Sequence, residues 1–234
     1  MDVAGNTIIV TGATGNLGGA VAGAFLDRGA NVVLVARSVE RLARRFGQED
    51  ARRAFVAADL TRQDDAAAVV AQALARFGRI DTLCNVAGGF RMGVPVHETT
   101  DAMFDALYAV NVRSVVNMVR VVVPVMLTAG QGSIVNVAAL AAQKGVGNMG
   151  AYCASKAVVV RLAESMAAEL GARNIRVNCV LPSTLDTPQN RAAMPDADPG
   201  AWVAPADLAQ AIVFLASPAA IAINGAAIPV TGRV

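Results

Sequence analysis

The chain has 234 residues, 55% of them hydrophobic and 16% charged, which is enough for one substantial core and excludes a disordered chain. Twenty basic and eighteen acidic residues leave a net charge of +2, and only 4% of residues are aromatic. That balance excludes the broad basic surface of a nucleic-acid or membrane binder.

Three cysteines, Cys84, Cys153 and Cys179, form no Cys-x-x-Cys pair. Neither a metal site nor a disulfide framework is expected, and a cytoplasmic location is. The N-terminal MDVAGNTIIVTG lacks the basic head and apolar core of a signal peptide. The apolar run from Val115 to Leu127 is interrupted by Arg120 and Pro124 and is too short to cross a bilayer.

In chain order, Thr7–Val10 reads as a first strand ending in a glycine-rich turn. Leu17–Arg28 reads as a helix and Asn31–Ala36 as a second strand. Ala54–Ala57 is a third strand, followed by a helix over Gln63–Arg76. Asp81–Val86, Ser133–Val137, Ile175–Leu181 and Ala226–Val230 complete seven strands. Asp101–Thr128, broken in two, Ala151–Leu170 and Ala206–Ala216 supply further helices. Strands alternating with helices imply right-handed βαβ units, and continuous apolar strands imply a parallel sheet covered on both faces. The expected fold is a single α/β domain over residues 1–234, a doubly wound, Rossmann-type sheet. Ser183–Val203, with Pro188, Pro195, Pro199 and the only tryptophan, Trp202, reads as a lid over the ligand crevice.

The turn after the first strand is Thr11-Gly12-Ala13-Thr14-Gly15-Asn16-Leu17-Gly18. Gly12 can turn sharply out of the strand. Gly15 and Asn16 can adopt positive φ, glycine at least cost, and Gly18 lets the helix pack close to the sheet. The following helix would turn unpaired N–H groups towards a pyrophosphate. After the second strand comes Ala36-Arg37-Ser38 rather than an acidic residue. Arg37 suits a ribose 2′-phosphate, which favours NADP(H) and leaves NAD(H) as a second choice. A solvent-exposed arginine without a ligand is the plain alternative. Tyr152 and Lys156 are four residues apart and share a helix face. A phenol, with an ordinary pKa of about 10, becomes a useful base near neutrality only where a cation favours its phenolate; Lys156 is placed to do that.

Several segments together resemble the short-chain dehydrogenase/reductase family over nearly the whole chain: TGATGNLG (11–18), Asp59-Leu60, Asn85-Val86-Ala87-Gly88, Asn111 in AVNVRS, YCASK (152–156), IRVNCVLP (175–182) and NGAAIPV (224–230). The resemblance implies a nicotinamide cofactor and hydride transfer. Gly12, Thr14, Gly15, Asn16, Leu17 and Gly18 would carry the phosphates, with Arg37 and Ser38 at the ribose. Asp59 and Leu60 would meet the adenine, and Asn85, Ala87 and Gly88 would lie along the cofactor. Pro182, Leu185 and Thr187 would meet the carboxamide, and Lys156 the nicotinamide ribose. Tyr152 would be the general acid or base, Lys156 would lower its pKa, and Asn111 would bind a relay water.

Three positions depart from the family pattern. Asn16 replaces a glycine, and Ser183 replaces the glycine after Pro182. Ala139 occupies the place of the catalytic serine, thirteen residues before Tyr152. Gln143 and Asn148 are candidate substitutes for the missing donor, and Trp202 is a further substrate-side candidate. Ala139, Ala87-Gly88-Gly89-Phe90 and residues 185–202 also resemble dihydropteridine reductases, which act on a quinonoid pterin. The expected activity is hydride transfer to a carbonyl or conjugated imine. A pterin reductase and a weakly catalytic dinucleotide sensor are the alternatives. The helices over 101–128 and 151–170 carry more apolar residues than one packed stripe needs, among them Val115, Val119, Val122, Val158, Val159 and Met166. They predict a homodimer or homotetramer.

Overall fold

A computed structural model describes residues 1–233. Its elements run β1 (Thr7–Thr11), α1 (Asn16–Leu26), β2 (Asn31–Ala36), α2 (Val39–Phe46), β3 (Arg53–Ala57), α3 (Gln63–Phe77) and β4 (Thr82–Asn85). The second part continues with α4 (Asp101–Tyr108), α5 (Ser114–Ala129), β5 (Gly132–Val137), α6 (Gly150–Leu170), β6 (Ile175–Pro182), α7 (Pro188–Ala193), α8 (Pro205–Ala216) and β7 (Ala227–Val230).

Among the described residues the seven strands form one parallel sheet in the order β3-β2-β1-β4-β5-β6-β7. Strands β1 and β4 are neighbours in space but not in sequence, so the winding reverses between them. That reversal opens a crevice at their carboxyl ends. Alternate residues of each strand face opposite sides. Ile9 and Leu83 join one core with α3, α5 and α6, whereas Ile8, Val10 and Cys84 join another with α1 and α8. Two covered faces explain why the strands read as unbroken apolar runs.

The expected break within residues 101–128 does not occur. A π-helical turn over Ala109–Arg113 links α4 to α5, and helix continues through Pro124. Pro124 is exposed, so the carbonyl that its missing N–H leaves unpaired lies on the solvent side of the helix. The resulting helix, Asp101–Ala129, is long and apolar enough to cross a membrane by length and composition. It lies instead along the sheet, with Met118, Val122 and Met126 fully buried.

Helix α2 was not expected. Leu42 is its one buried residue, so no apolar periodicity announces it. Its signals are local: Ser38 caps it by accepting from the Arg41 N–H, Glu40 lies in the first turn, and Arg44 and Arg45 lie in the last. The 183–203 segment is also more ordered than its prolines suggested. Its two ends are joined by the Leu185–Val203 bridge, and α7 lies between them. Ser183 donates from Oγ to the Thr231 carbonyl (2.8 Å) and from its amide to Val230 (3.1 Å). It therefore ties the start of this segment to the end of β7, a job that glycine could do only in part.

Candidate active site

The crevice predicted by the strand order is a cavity of about 520 Å³ running from Arg37 and Asp59 to Gly88 and Gly89. Its floor is the glycine turn. Gly12 has φ +67°, and a Cβ there would sit 2.9 Å from the Ala87 Cα. A Cβ at Gly18 would overlap the Gly12 carbonyl oxygen. The Gly15 amide closes the turn onto that same carbonyl at 2.9 Å. Positive φ is thus confined to Gly12. Gly15 is extended, with φ −77°, and caps α1, while Asn16 is already helical. Neither uses the positive φ open to it, because the turn needs only one reversal before the helix begins. The Asn16 side chain points away from the turn and donates to the Gln189 side chain on α7 at 2.7 Å. Leu17 is buried in the core behind.

Thr11 joins the two strands at the crevice. Its Oγ1 accepts from the Val86 and Ala87 amides, both at 2.9 Å, and donates to the Cys84 carbonyl. At the far end, Arg37 is exposed and lines the cavity beside Arg41. Arg45 reaches back from α2 to the Thr14 carbonyl at 3.3 Å. The Ser38 hydroxyl is taken up by the cap and by the Glu40 carboxylate (2.6 Å). Asp59 is held below the ordinary carboxylate range, first by the Thr61 hydroxyl, then by the Thr61 amide and the Arg37 and Arg62 charges. Leu60 is fixed through its carbonyl by Asn117.

Beside Gly88, at the other end of the cavity but outside its lining, α6 carries Tyr152 and Lys156. Lys156 is buried and donates from Nζ to the Val137 carbonyl at 3.0 Å. Gly88 lies between two polar groups: a Cβ there would be 2.9 Å from Asn111 Oδ1 and 3.2 Å from Lys156 Nζ. Asn111, in the π-helical turn, accepts from the Gly89 amide (2.8 Å). Its Nδ2 donates to the Gly89 carbonyl and to Ser155 Oγ, both at 3.0 Å. Both Nδ2 protons and one Oδ1 lone pair of this side chain are therefore engaged within the protein. The Phe90 ring stands edge-on to Tyr152 at 5.0 Å. Ala139 is buried and extended at the end of the β5 turn.

The short chain dehydrogenase profile matches residues 6–198. The chain belongs to the short chain dehydrogenase family. A D-threitol dehydrogenase of Mycolicibacterium smegmatis is 37% identical to it, over 97% of this chain and 92% of its own. A 3-ketoacyl-(acyl-carrier-protein) reductase from Brucella melitensis, solved with NADH, is 32% identical and superposes with a TM-score of 0.89 over 99% of each chain. An NAD+-bound xylitol dehydrogenase is 26% identical, with a TM-score of 0.90 over 99% of this chain and 100% of its own. This short chain dehydrogenase is an oxidoreductase that uses a nicotinamide dinucleotide. The chain's own geometry fits that group. The volume lies within the usual 300–1,000 Å³ of a ligand cleft, and the Gly12 and Gly18 backbones leave room that any side chain would fill.

Several expected site residues are placed elsewhere. The Asn85 side chain turns into the sheet, where it donates to Asn136 Oδ1 at 2.8 Å; a residue inside a strand faces one side or the other, and this one faces its neighbour strand. Gln143 is exposed and Trp202 half-buried, and neither lines the main cavity or the small pocket beside Tyr152. The Trp202 backbone instead backs onto Gly232. Asn148 does come near. It adopts φ +60° and lines a small pocket of about 20 Å³ with Tyr152, Arg91 and Met149. Pro182, the last residue of β6, and Leu185 and Thr187 after it lie outside the main cavity. There Thr187 caps α7, and the Leu185 carbonyl accepts from Asn190.

Lys156 does not lower the phenol as expected. Burial pushes Tyr152 up to about 12, with a smaller push from Cys153. Burial also pulls Lys156 down to about 8. The Lys156 ammonium donates to the Val137 carbonyl, and at Lys156 desolvation outweighs the opposing influence of Cys179. Sequence reasoning missed Arg41, Thr61 and Ser155. Arg41 was legible as the cation one turn after Arg37. Ser155 carried no signal beyond its place between Tyr152 and Lys156.

Proposed function

We propose that this short chain dehydrogenase is an NADPH-dependent reductase of a conjugated carbonyl or imine, with Tyr152 as its general acid. The observation that carries the acid role is the place of Tyr152, edge-on to Phe90 and lining the small pocket with Arg91 and Asn148, where burial pushes its phenol up and leaves it a proton to give. A nicotinamide dinucleotide bound in the cavity supplies the hydride. Tyr152 Oη donates its proton to the substrate heteroatom as charge builds there. Lys156, one helical turn after Tyr152, would hold the nicotinamide ribose hydroxyls. Asn111 fixes the Gly89 backbone that walls the site. Ala139 offers no hydroxyl, so one donor of the oxyanion type is missing. A conjugated substrate, which spreads the developing charge over several atoms, depends on that donor less than a simple ketone does.

NADPH is favoured over NADH by Arg37 and Arg41, two cations at the end of the cavity where a 2′-phosphate would lie. The 183–203 segment is the lid on the substrate side. A homodimer or homotetramer fits the same reading, with one correction to its residues. Val115, Val122 and Val159 are buried in the chain's own core, whereas Val119, Val158 and Met166 are half-buried and free to pair. A monomeric mass in light scattering at micromolar concentration would remove the assembly.

Fluorescence titration with NADPH and NADH, followed by turnover on ketones, quinones and quinonoid dihydropterin, tests the function. Tighter NADPH binding and faster turnover of the conjugated substrates are expected, with Ala139→Ser gaining activity on simple ketones. Equal or tighter NADH binding overturns the cofactor choice. Tight NADPH binding with no turnover on any substrate would favour the dinucleotide sensor, the reading that Ala139 supports.

A further inference from the structure

Helix α6 begins without help. Its N-cap, Met149, makes no side-chain cap bond, and Tyr152 lies in that first turn. An uncapped first turn frays readily. Yet the reacting phenol must keep its position relative to Lys156, one turn further in, and to the wall formed by Gly88 and Gly89.

One buried hydroxyl touches all of these parts. Ser155 is 1% exposed. Its Oγ donates to the Tyr152 carbonyl at 2.8 Å and accepts from Asn111 Nδ2 at 3.0 Å. Asn111 in turn clamps Gly89 through both of its main-chain polar groups. The hydroxyl's one proton and one of its lone pairs are thus committed to two different segments. Removing it leaves a buried Asn111 N–H without an acceptor and frees the Tyr152 turn at the same time.

We propose that Ser155 is a positioning residue, whose hydroxyl locks the uncapped Tyr152 turn to Asn111 and, through it, to the Gly89 wall. The assignment rests on Tyr152 being the acid of the reaction, as proposed above. Ser155 itself does not face the 520 Å³ cavity, so it acts through its neighbours.

The test compares Ser155→Ala with Ser155→Thr. Threonine keeps a hydroxyl that can bond back to the carbonyl three or four residues earlier. Dinucleotide affinity, read by fluorescence, reports that each variant is folded and that the cradle is intact. We expect Ser155→Ala to lower kcat about tenfold with KM and dinucleotide affinity within about twofold of the parent, and Ser155→Thr to recover most of the loss. A second readout needs no substrate. The chain has two tyrosines, so the phenolate absorbance of Tyr152 is isolated by subtracting a Tyr152→Phe titration. A loosened turn lets water reach the phenol, and its titration midpoint should fall by half a unit or more in Ser155→Ala but not in Ser155→Thr. An unchanged midpoint and unchanged kcat in Ser155→Ala overturn the proposal, as do equal losses in both variants. If Ser155→Ala does not fold, Ser155→Cys, which keeps the volume with a weaker donor, is judged by the same two readouts. If the parent's activity survives Tyr152→Phe, the functional reading fails, while the titration still decides the role of Ser155.

Discussion

The dinucleotide cradle and the proposed reacting centre meet at Gly88, and they are held in unlike ways. The cradle is made of backbone. Gly12, Gly15 and Gly18 close on one another, and Thr11 pins the β4 loop to β1, leaving about 520 Å³ open. The reacting centre is made of side chains on a helix end and loops, and the pocket that Tyr152 lines is about 20 Å³. Phe90, 60% exposed, stands over the phenol. A backbone site is ready for its ligand because a strand, a turn and a helix fix it.

The contrast can be broken at either half. The largest effect is expected at the reacting centre: Tyr152→Phe should lower kcat by a factor of about 100 or more, the usual yield of a positioned acid, while dinucleotide affinity stays unchanged. Single-turnover hydride transfer checks it. Gly18→Ala should do the reverse. Its Cβ overlaps the Gly12 carbonyl, which as backbone cannot step aside, so stability should fall by about 1–3 kcal/mol and dinucleotide affinity with it. Thermal unfolding and titration of the same sample read both.

The pH dependence belongs to Lys156. Its pKa is lowered by burial from 10.5 to about 8, so the ammonium is present below pH 8 and lost above it. The reductive kcat should therefore fall as pH rises through about 8, while Tyr152, at about 12, still carries its proton. A limb near 10.5 would show that Lys156 is hydrated. By linkage the folded state binds this proton less well than the unfolded chain, so the Lys156 contribution to stability should rise between pH 8 and 10.5.

Arg41→Ala should weaken NADPH about tenfold and NADH hardly at all, since only the phosphate uses its charge. Equal weakening of both would place Arg41 in packing. The smallest effect is expected from Asn16→Ala, which cuts an exposed bond between the cradle and α7. It should change dinucleotide affinity by no more than about threefold, because surface bonds exchange readily with water.

How much of this was legible follows the same division. The strands, the glycine turn and the Tyr152–Lys156 pair could be read because each depends on a short local pattern: an apolar run, a glycine spacing, a one-turn separation. Helix α2 was passed over because a nearly polar helix has no apolar period. The π-helical turn at Asn111 was missed because one extra residue in a helix changes bonding without changing composition. Asn85 looked like a cofactor ligand until its partner, Asn136, was found on the adjacent strand 51 residues later.

By itself the sequence determined the order of the elements, the parallel covered sheet, the phosphate turn, and the loss of a hydroxyl at Ala139, since these follow from residue type and near-neighbour spacing. The tertiary structure decided which groups share a proton or a charge. It turned Lys156 to Val137, committed both ends of the Asn111 amide, and set the Ser155 hydroxyl between the Tyr152 turn and Asn111. The reason is physical: desolvation and hydrogen-bond partnership depend on what surrounds a group in space, and at this site the partners come from β4, the π-helical turn, β5 and α6, which only folding brings together.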